Sequence, residues 1–129
     1  MHFKSLDHVN VRTANLDAMI AWYGEVLDMP SGDRPDFGFP GAWLYCNGNP
    51  IVHLVSADPV PKVSEMQLEH FAIGATGLPE FIERLKSKDI DYRVGHVKDV
   101  GIIQVNVWDP DGNHIHIDFP ASEGEGLDL

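Results

Sequence analysis

Alternating apolar and polar residues predict strands along much of this chain, and two apolar stripes predict helices. Leu16, Met19, Ile20 and Tyr23 fall at i, i+3, i+4 and i+7, and Leu78, Phe81, Ile82 and Leu85 repeat that spacing. Each set makes one buried face of an α-helix. Asn15 stands where the first helix would be capped, and Pro79 lies in the first turn of the second, where a missing N–H is tolerated. Strands are predicted over 6–12, 34–37, 42–47 and 51–56, and again over 68–74, 92–96, 102–108 and 114–119. Asn47-Gly48 and Asp111-Gly112 supply turns before the last strand of each set.

The two sets are copies of one pattern. LDHVNVRTANLDAMIAWY, from Leu6, aligns without a gap on LEHFAIGATGLPEFIERL, from Leu68. Asp7 then meets Glu69, His8 meets His70, Leu16 meets Leu78 and Ile20 meets Ile82. IVHLV, from Ile51, aligns on HIHID, from His114, so His53 meets His116. The expected organisation is a βαβββ module over 1–58, a linker over 59–66, a second module over 67–120 and a mobile acidic tail over 121–129, all within one structural domain. The fold class is α+β: two modules forming a curved mixed sheet, helices on the outer face, and a concave cleft on the other.

Strand periodicity assigns the faces. Val9 and Val11 oppose His8, Asn10 and Arg12, and Val52 and Leu54 oppose His53. Ile103, Val105 and Val107 oppose Gln104, Asn106 and Trp108, while Ile115, Ile117 and Phe119 oppose His114, His116 and Asp118. The apolar set can pack on the helices. The polar set is expensive to bury dry, so a wet cleft holding a ligand or metal explains it better.

Four of the seven histidines, His8, His53, His70 and His116, occupy repeat-equivalent places on first and last strands. They are the expected metal ligands. A lone inward histidine is more often a hydrogen-bonded core residue; His2 and His96 take that reading or a surface one. Neutral imidazoles suit zinc, iron, nickel or copper rather than magnesium or calcium. His114, Asp118 and Tyr45 are candidate catalytic groups, Asp118 serving either to orient a ligand imidazole or as a solvated strand-end charge. Arg12, Trp43, Tyr45, Gln104, Asn106 and Trp108 are the candidate substrate-pocket residues, and Arg34 and Arg93 join Arg12 as possible carboxylate clamps.

Composition narrows the partners. A hydrophobic content of 43% supports a packed core. Nine basic against twenty acidic residues, a net charge of -11, argue against nucleic acid, which needs clustered Lys and Arg. Cys46 is the single cysteine, so no intrachain disulfide forms. The first residues lack an apolar signal segment and no stretch resembles a membrane span, so the expected setting is cytoplasmic, away from membranes.

Four motifs carry a family resemblance: LDHVNVRT near the start, AWYGEVLDM in the first helix, LEHFAIG at the midpoint and WDPDGNHIHIDF near the end. Together they span nearly the whole chain, which resembles the vicinal oxygen chelate superfamily: glyoxalase I, type I extradiol dioxygenases, fosfomycin-resistance and bleomycin-resistance proteins, and methylmalonyl-CoA epimerase. The resemblance places His8, His53 and His70 at three of the family's metal positions. The fourth, normally Glu, is His116 here. An imidazole can ligate, but it removes a negative charge and alters the proton chemistry.

The resemblance implies one divalent transition metal (iron, zinc, nickel or manganese), a small-molecule substrate with neighbouring oxygens, and a homodimer whose site lies within one chain or across two. A ring-cleaving dioxygenase is the favoured activity, because LDHVNVRT and GFPGAWLY resemble dioxygenase relatives. A glyoxalase-like lyase or epimerase is the alternative within the enzymes. A bleomycin-resistance-like binding protein is the alternative outside them, with Trp43, Tyr45 and Trp108 as its ring contacts; the retained histidines count against it.

Overall fold

A computed structural model describes residues 1–60, 62 and 67–129. The chain divides into two compact units, Met1–Ser64 and Glu65–Leu129. Most of the expected linker, residues 61 and 63–66, lies outside the described residues. No helix among the described residues is long and apolar enough to cross a membrane.

The first unit contains β1 (Val9–Thr13), α1 (Leu16–Leu27), β2 (Ser31–Gly32), β3 (Gly41–Cys46) and β4 (Asn49–Ser56). The second contains β5 (His70–Gly74), α2 (Leu78–Ser87), β6 (Arg93–Val97), β7 (Ile102–Trp108) and β8 (His114–Pro120). Each unit has its own four-stranded mixed sheet, in the orders β1-β4-β3-β2 and β5-β8-β7-β6. The first strand runs parallel to the last, with Asn10 beside His53 and Ala72 beside His116. The other neighbours are antiparallel. The repeat read along the chain is therefore a repeat of strand pairing.

The apolar stripes are the buried ones. Met19, Tyr23 and Val26 of α1 are buried, and α1 packs on β3 and β4, where Leu44, Val52 and Leu54 are fully enclosed. Side chains of that size contribute about 1.5–3 kcal/mol each when removed from water. In the second unit Leu78, Phe81, Ile82 and Leu85 are buried, and the Phe81 ring lies 5.7 Å from Phe119 on β8. The face of β8 that meets α2 is thus the one carrying Ile115, Ile117 and Phe119. His114, His116 and Asp118 point the other way by alternation.

Several boundaries differ from the sequence expectation. β1 starts at Val9, and Leu6 is exposed, as is its repeat partner Leu68. The second strand is not at 34–37 but at Ser31–Gly32, paired to Leu44 and Trp43. Pro35 and Pro40 have no N–H to offer a ladder, and Gly38 turns with φ 79°, its N–H bonded to the Asp36 carboxylate at 3.0 Å. Residues 33–40 consequently form a loop. The segment from 121, expected to be mobile, opens with a 3-10 turn over Ala121–Gly124. Its Glu123 carboxylate accepts the N–H groups of Gly77 and Leu78, both at 2.7 Å, and so caps α2.

The DPDGN stretch is a structural turn. Asp109, 4% exposed, accepts the backbone N–H groups of Asp111 at 3.0 Å and Asn113 at 2.9 Å, and the Asn113 amide at 2.8 Å. Gly112 takes φ 84° within it. The turn delivers the chain into β8 with His114 first.

Candidate metal centre

Each unit places a carboxylate–histidine dyad at its first strand. In the first unit His8 Nδ1 bonds the Asp7 carboxylate at 2.7 Å. In the second, His70 Nδ1 bonds the Glu69 carboxylate. A carboxylate can only accept, so Nδ1 carries the proton and Nε2 keeps its lone pair for a metal. This is the outer partner that metal-binding histidines commonly have. The pairing follows from sequence, because Asp7-His8 and Glu69-His70 are repeat equivalents, and the acids' alignment alone does not reveal their role on the rings.

In the first unit three rings stack. The His8 and His53 centroids are 3.8 Å apart with planes 9° from parallel, and Trp43 lies on His53 at 4.2 Å and 13°. His53 Nε2 donates to the Pro50 carbonyl at 3.0 Å, which leaves Nδ1 unprotonated. Burial, and then the neighbouring His8, hold the His53 pKa below its ordinary value of 6.5. The neutral ring is the ligating form.

In the second unit His70 and His116 stack at 4.0 Å and 13°, and His114 approaches His116 edge-on at 4.8 Å. One ligand nitrogen from each of His70, His114 and His116 can be chosen so that all lie within 4.8 Å of one another. Burial, then His70 and His114, lower the His116 pKa. His114 Nδ1 faces Glu69 at 2.8 Å and its Nε2 faces the Asn106 Oδ1 at 2.8 Å. Asn106 is itself oriented, its amide N–H donating to the Arg93 carbonyl at 3.2 Å. Both His114 nitrogens are thus committed, and His114 holds Glu69 in place while His70 and His116 present lone pairs. Hydrogen bonds from His70 first, then His114, hold the Glu69 carboxyl below the usual range.

The His70–His116 pair fits a divalent transition metal: its ligand nitrogens can lie within 4.8 Å of each other, and a carboxylate orients the His70 ring. Asp118 adds a buried Oδ1 with no hydrogen-bond partner among the described residues. It lies on the His116 face of β8, opposite Gly74 and Gln104.

The remaining expected residues divide. Trp108 stacks on His114 at 5.0 Å and 9°, with the Arg93 guanidinium 5.5 Å from the Trp108 ring centre. Trp43 lines a pocket beside His53. Asn106 acts on His114, and Gln104 stands between Gly95 and Asp118. Tyr45 turns to β2 instead: its hydroxyl donates to the Asp33 carbonyl at 2.6 Å, and its ring lies where a Cβ on Gly32 would be. Arg12 is exposed on β1.

Residues 5–117 match the model of the Glyoxalase/Bleomycin resistance protein/Dioxygenase superfamily. The chain is 31% identical over 124 residues to Glyoxylase I 4 of Arabidopsis thaliana, covering 91% of this chain and 71% of that protein. Among solved structures, a glyoxalase family protein from Bacillus anthracis superposes with a TM-score of 0.76 at 22% identity, covering 93% of this chain and 98% of the other. A glyoxylase/bleomycin resistance protein/dioxygenase domain from Frankia sp. EAN1pec gives 0.76 at 16%, covering 92% and 99%.

Proposed function

The chain belongs to the Glyoxalase/Bleomycin resistance protein/Dioxygenase superfamily, and on that premise we propose that it is a metal-dependent enzyme moving a proton on a small substrate with two neighbouring oxygens. The observation that carries this reading is the Glu69–His70 dyad with His116 stacked on it. His70 and His116 would hold the metal, and His8 and His53 are the equivalent ligand pair of the first unit. The ion would be iron, zinc, nickel or manganese. When bound, it polarises the substrate oxygens and acidifies the neighbouring C–H.

The chain's own residues divide the remaining work. Glu69 and His114 fix the His70 ring. Asp118, on the His116 face of β8, is the base that accepts the substrate proton. It takes over the charge that a glutamate at position 116 would have carried. Tyr45 is spent on Asp33 and has no proton role. A homodimer in the cytoplasm is part of this reading, and sedimentation velocity measures its oligomeric part.

Two measurements test it. Protein purified without chelator is expected to carry stoichiometric divalent metal by mass spectrometry. With metal bound, it is expected to exchange the C–H proton of small α-hydroxyketones or hemithioacetals for solvent deuterium. Asp118→Asn should keep the metal and slow exchange by about 10²–10⁴-fold, the usual contribution of a general base. Absence of metal under every loading condition overturns the ligand assignment, and unchanged exchange in Asp118→Asn overturns the base.

A second reading, ring cleavage by a dioxygenase, is favoured by the aromatic walls of the pocket at His53. Fe(II)-loaded protein given catechols and oxygen would then form a yellow product.

A further inference from the structure

The loop over 33–40 builds a cation into an aromatic corner. The Arg34 guanidinium carbon lies 4.9 Å from the Phe37 ring centre and 5.2 Å from that of Phe39. Its Nη1 donates to the Phe39 carbonyl at 3.2 Å, while Nε is buried with no partner. No ion pair to Arg34 exists among the described residues, in a chain of net charge -11. An arginine in so acidic a protein would readily find a surface carboxylate. This one is instead held against rings, and β3 makes room for it at Gly41, where a Cβ would meet Arg34 Nη2 at 2.7 Å and the Leu54 carbonyl at 2.4 Å.

Beside it lies a cavity of about 140 Å³ lined by Asn10, Arg34, Phe37, Phe39, Trp43 and His53, with Leu54 and Val55 behind. An apolar cavity of about 150 Å³ accommodates benzene. Phe37 and Phe39 are 48% and 47% exposed, and Trp43 faces Phe37 at 6.2 Å and 44°. Flat apolar walls select a flat ring. The unpaired guanidinium selects an anion, because it accepts a carboxylate through charge-assisted hydrogen bonds and repels a cation.

We infer that Arg34, Phe37, Phe39 and Trp43 form a binding subsite for an aryl carboxylate beside His53. The inference rests on the proposed function only in taking His53 as one of the ligand pair of the first unit, and it gives that pair an aromatic acid, or the acid arm of a larger molecule, as its neighbour.

Benzoate titrated into chelator-treated protein tests the subsite apart from the metal. In ¹H–¹⁵N NMR the Arg34 Nε–H resonance should shift with saturation. Benzamide, which lacks the charge, and cyclohexanecarboxylate, which lacks the flat ring, should each bind at least about tenfold more weakly, a difference of about 1.4 kcal/mol. Arg34→Met should abolish binding. Phe37→Leu, at an exposed position and so tolerant of change, should weaken it several-fold with the fold intact by circular dichroism. Equal affinity for benzamide, or benzoate binding retained in Arg34→Met, overturns the subsite. So does a Phe37→Leu variant that alters only the sedimentation coefficient, which would assign the patch to contact with a second copy. A protein that binds benzoate but never metal would refute the proposed function and leave the subsite standing.

Discussion

The two units share a backbone plan and surround their histidines differently. Trp43 sits opposite His53 across β3 and β4, whereas Asn106 sits opposite His116 across β7 and β8. In the first unit the tryptophan closes a stack of three rings, and the cavity at His53 has mostly apolar walls. In the second unit the asparagine ties His114, and through it Glu69, into a polar network around His70. One copy of the duplicated sheet surrounds its histidines with stacked rings, the other with a hydrogen-bonded polar network. Duplication conserves strand pairing, because pairing depends on the backbone. It leaves the exposed face free to diverge, because that face carries little of the core.

The largest test of this contrast compares the two dyads. Glu69→Gln removes the charge that fixes His70 and releases His114, and is expected to weaken metal binding by about 10- to 100-fold, the usual effect of an outer partner. Among the described residues Asp7 hydrogen-bonds His8 and no second histidine, so Asp7→Asn should cost less. Competition titration with a chromophoric chelator measures both; equal losses would mean that the His114 network adds nothing.

A smaller effect is expected at the helix starts. Glu123→Ala strips the cap from α2 and should lower stability by about 0.5–2 kcal/mol in urea denaturation. The start of α1 relies on near neighbours, with the Asn15 N–H donating to Thr13 Oγ1 at 2.9 Å, and should not respond. An unchanged midpoint in Glu123→Ala would show that residues 121–124 do not hold the second helix.

The smallest effect is in acid. His53 and His116 have folded pKa values below 6.5, so the unfolded chain takes up protons before the folded one does. The metal-free protein should hold its full stability above about pH 6.5, lose some as the pH falls through the lowered folded values, and then level off. Thermal melts across this range should slope less in His53→Gln and in His116→Gln. A slope that neither variant changes would place the titrating groups elsewhere.

Much of the candidate site was legible because strands have a period of two. Once Val52 and Leu54 are assigned to the core, His53 must face away from it, and the same holds for His116 between Ile115 and Ile117. Periodicity says nothing about which way an arginine in an irregular loop will fold, so Arg34 could be named as a clamp but not placed. The second strand was misplaced as well: Arg34–Phe37 contains Pro35 and Asp36, both depleted in strands, and the residues that do pair, Ser31 and Gly32, carry no apolar alternation to announce them. Tyr45 illustrates a different limit: its face was readable, but the acceptor that takes its hydroxyl lies on a loop.

The amino-acid sequence by itself determined the duplication, the order of elements, the buried stripes and the histidines on the polar faces. Those are local or periodic properties, set by residue type and spacing. Only the tertiary structure decided that Glu69 reaches His114 across 45 residues, that Glu123 caps a helix beginning 45 residues earlier, and that Arg34 rests on two phenylalanines. Those contacts join segments with no shared period, so they follow from the packed chain and not from its pattern.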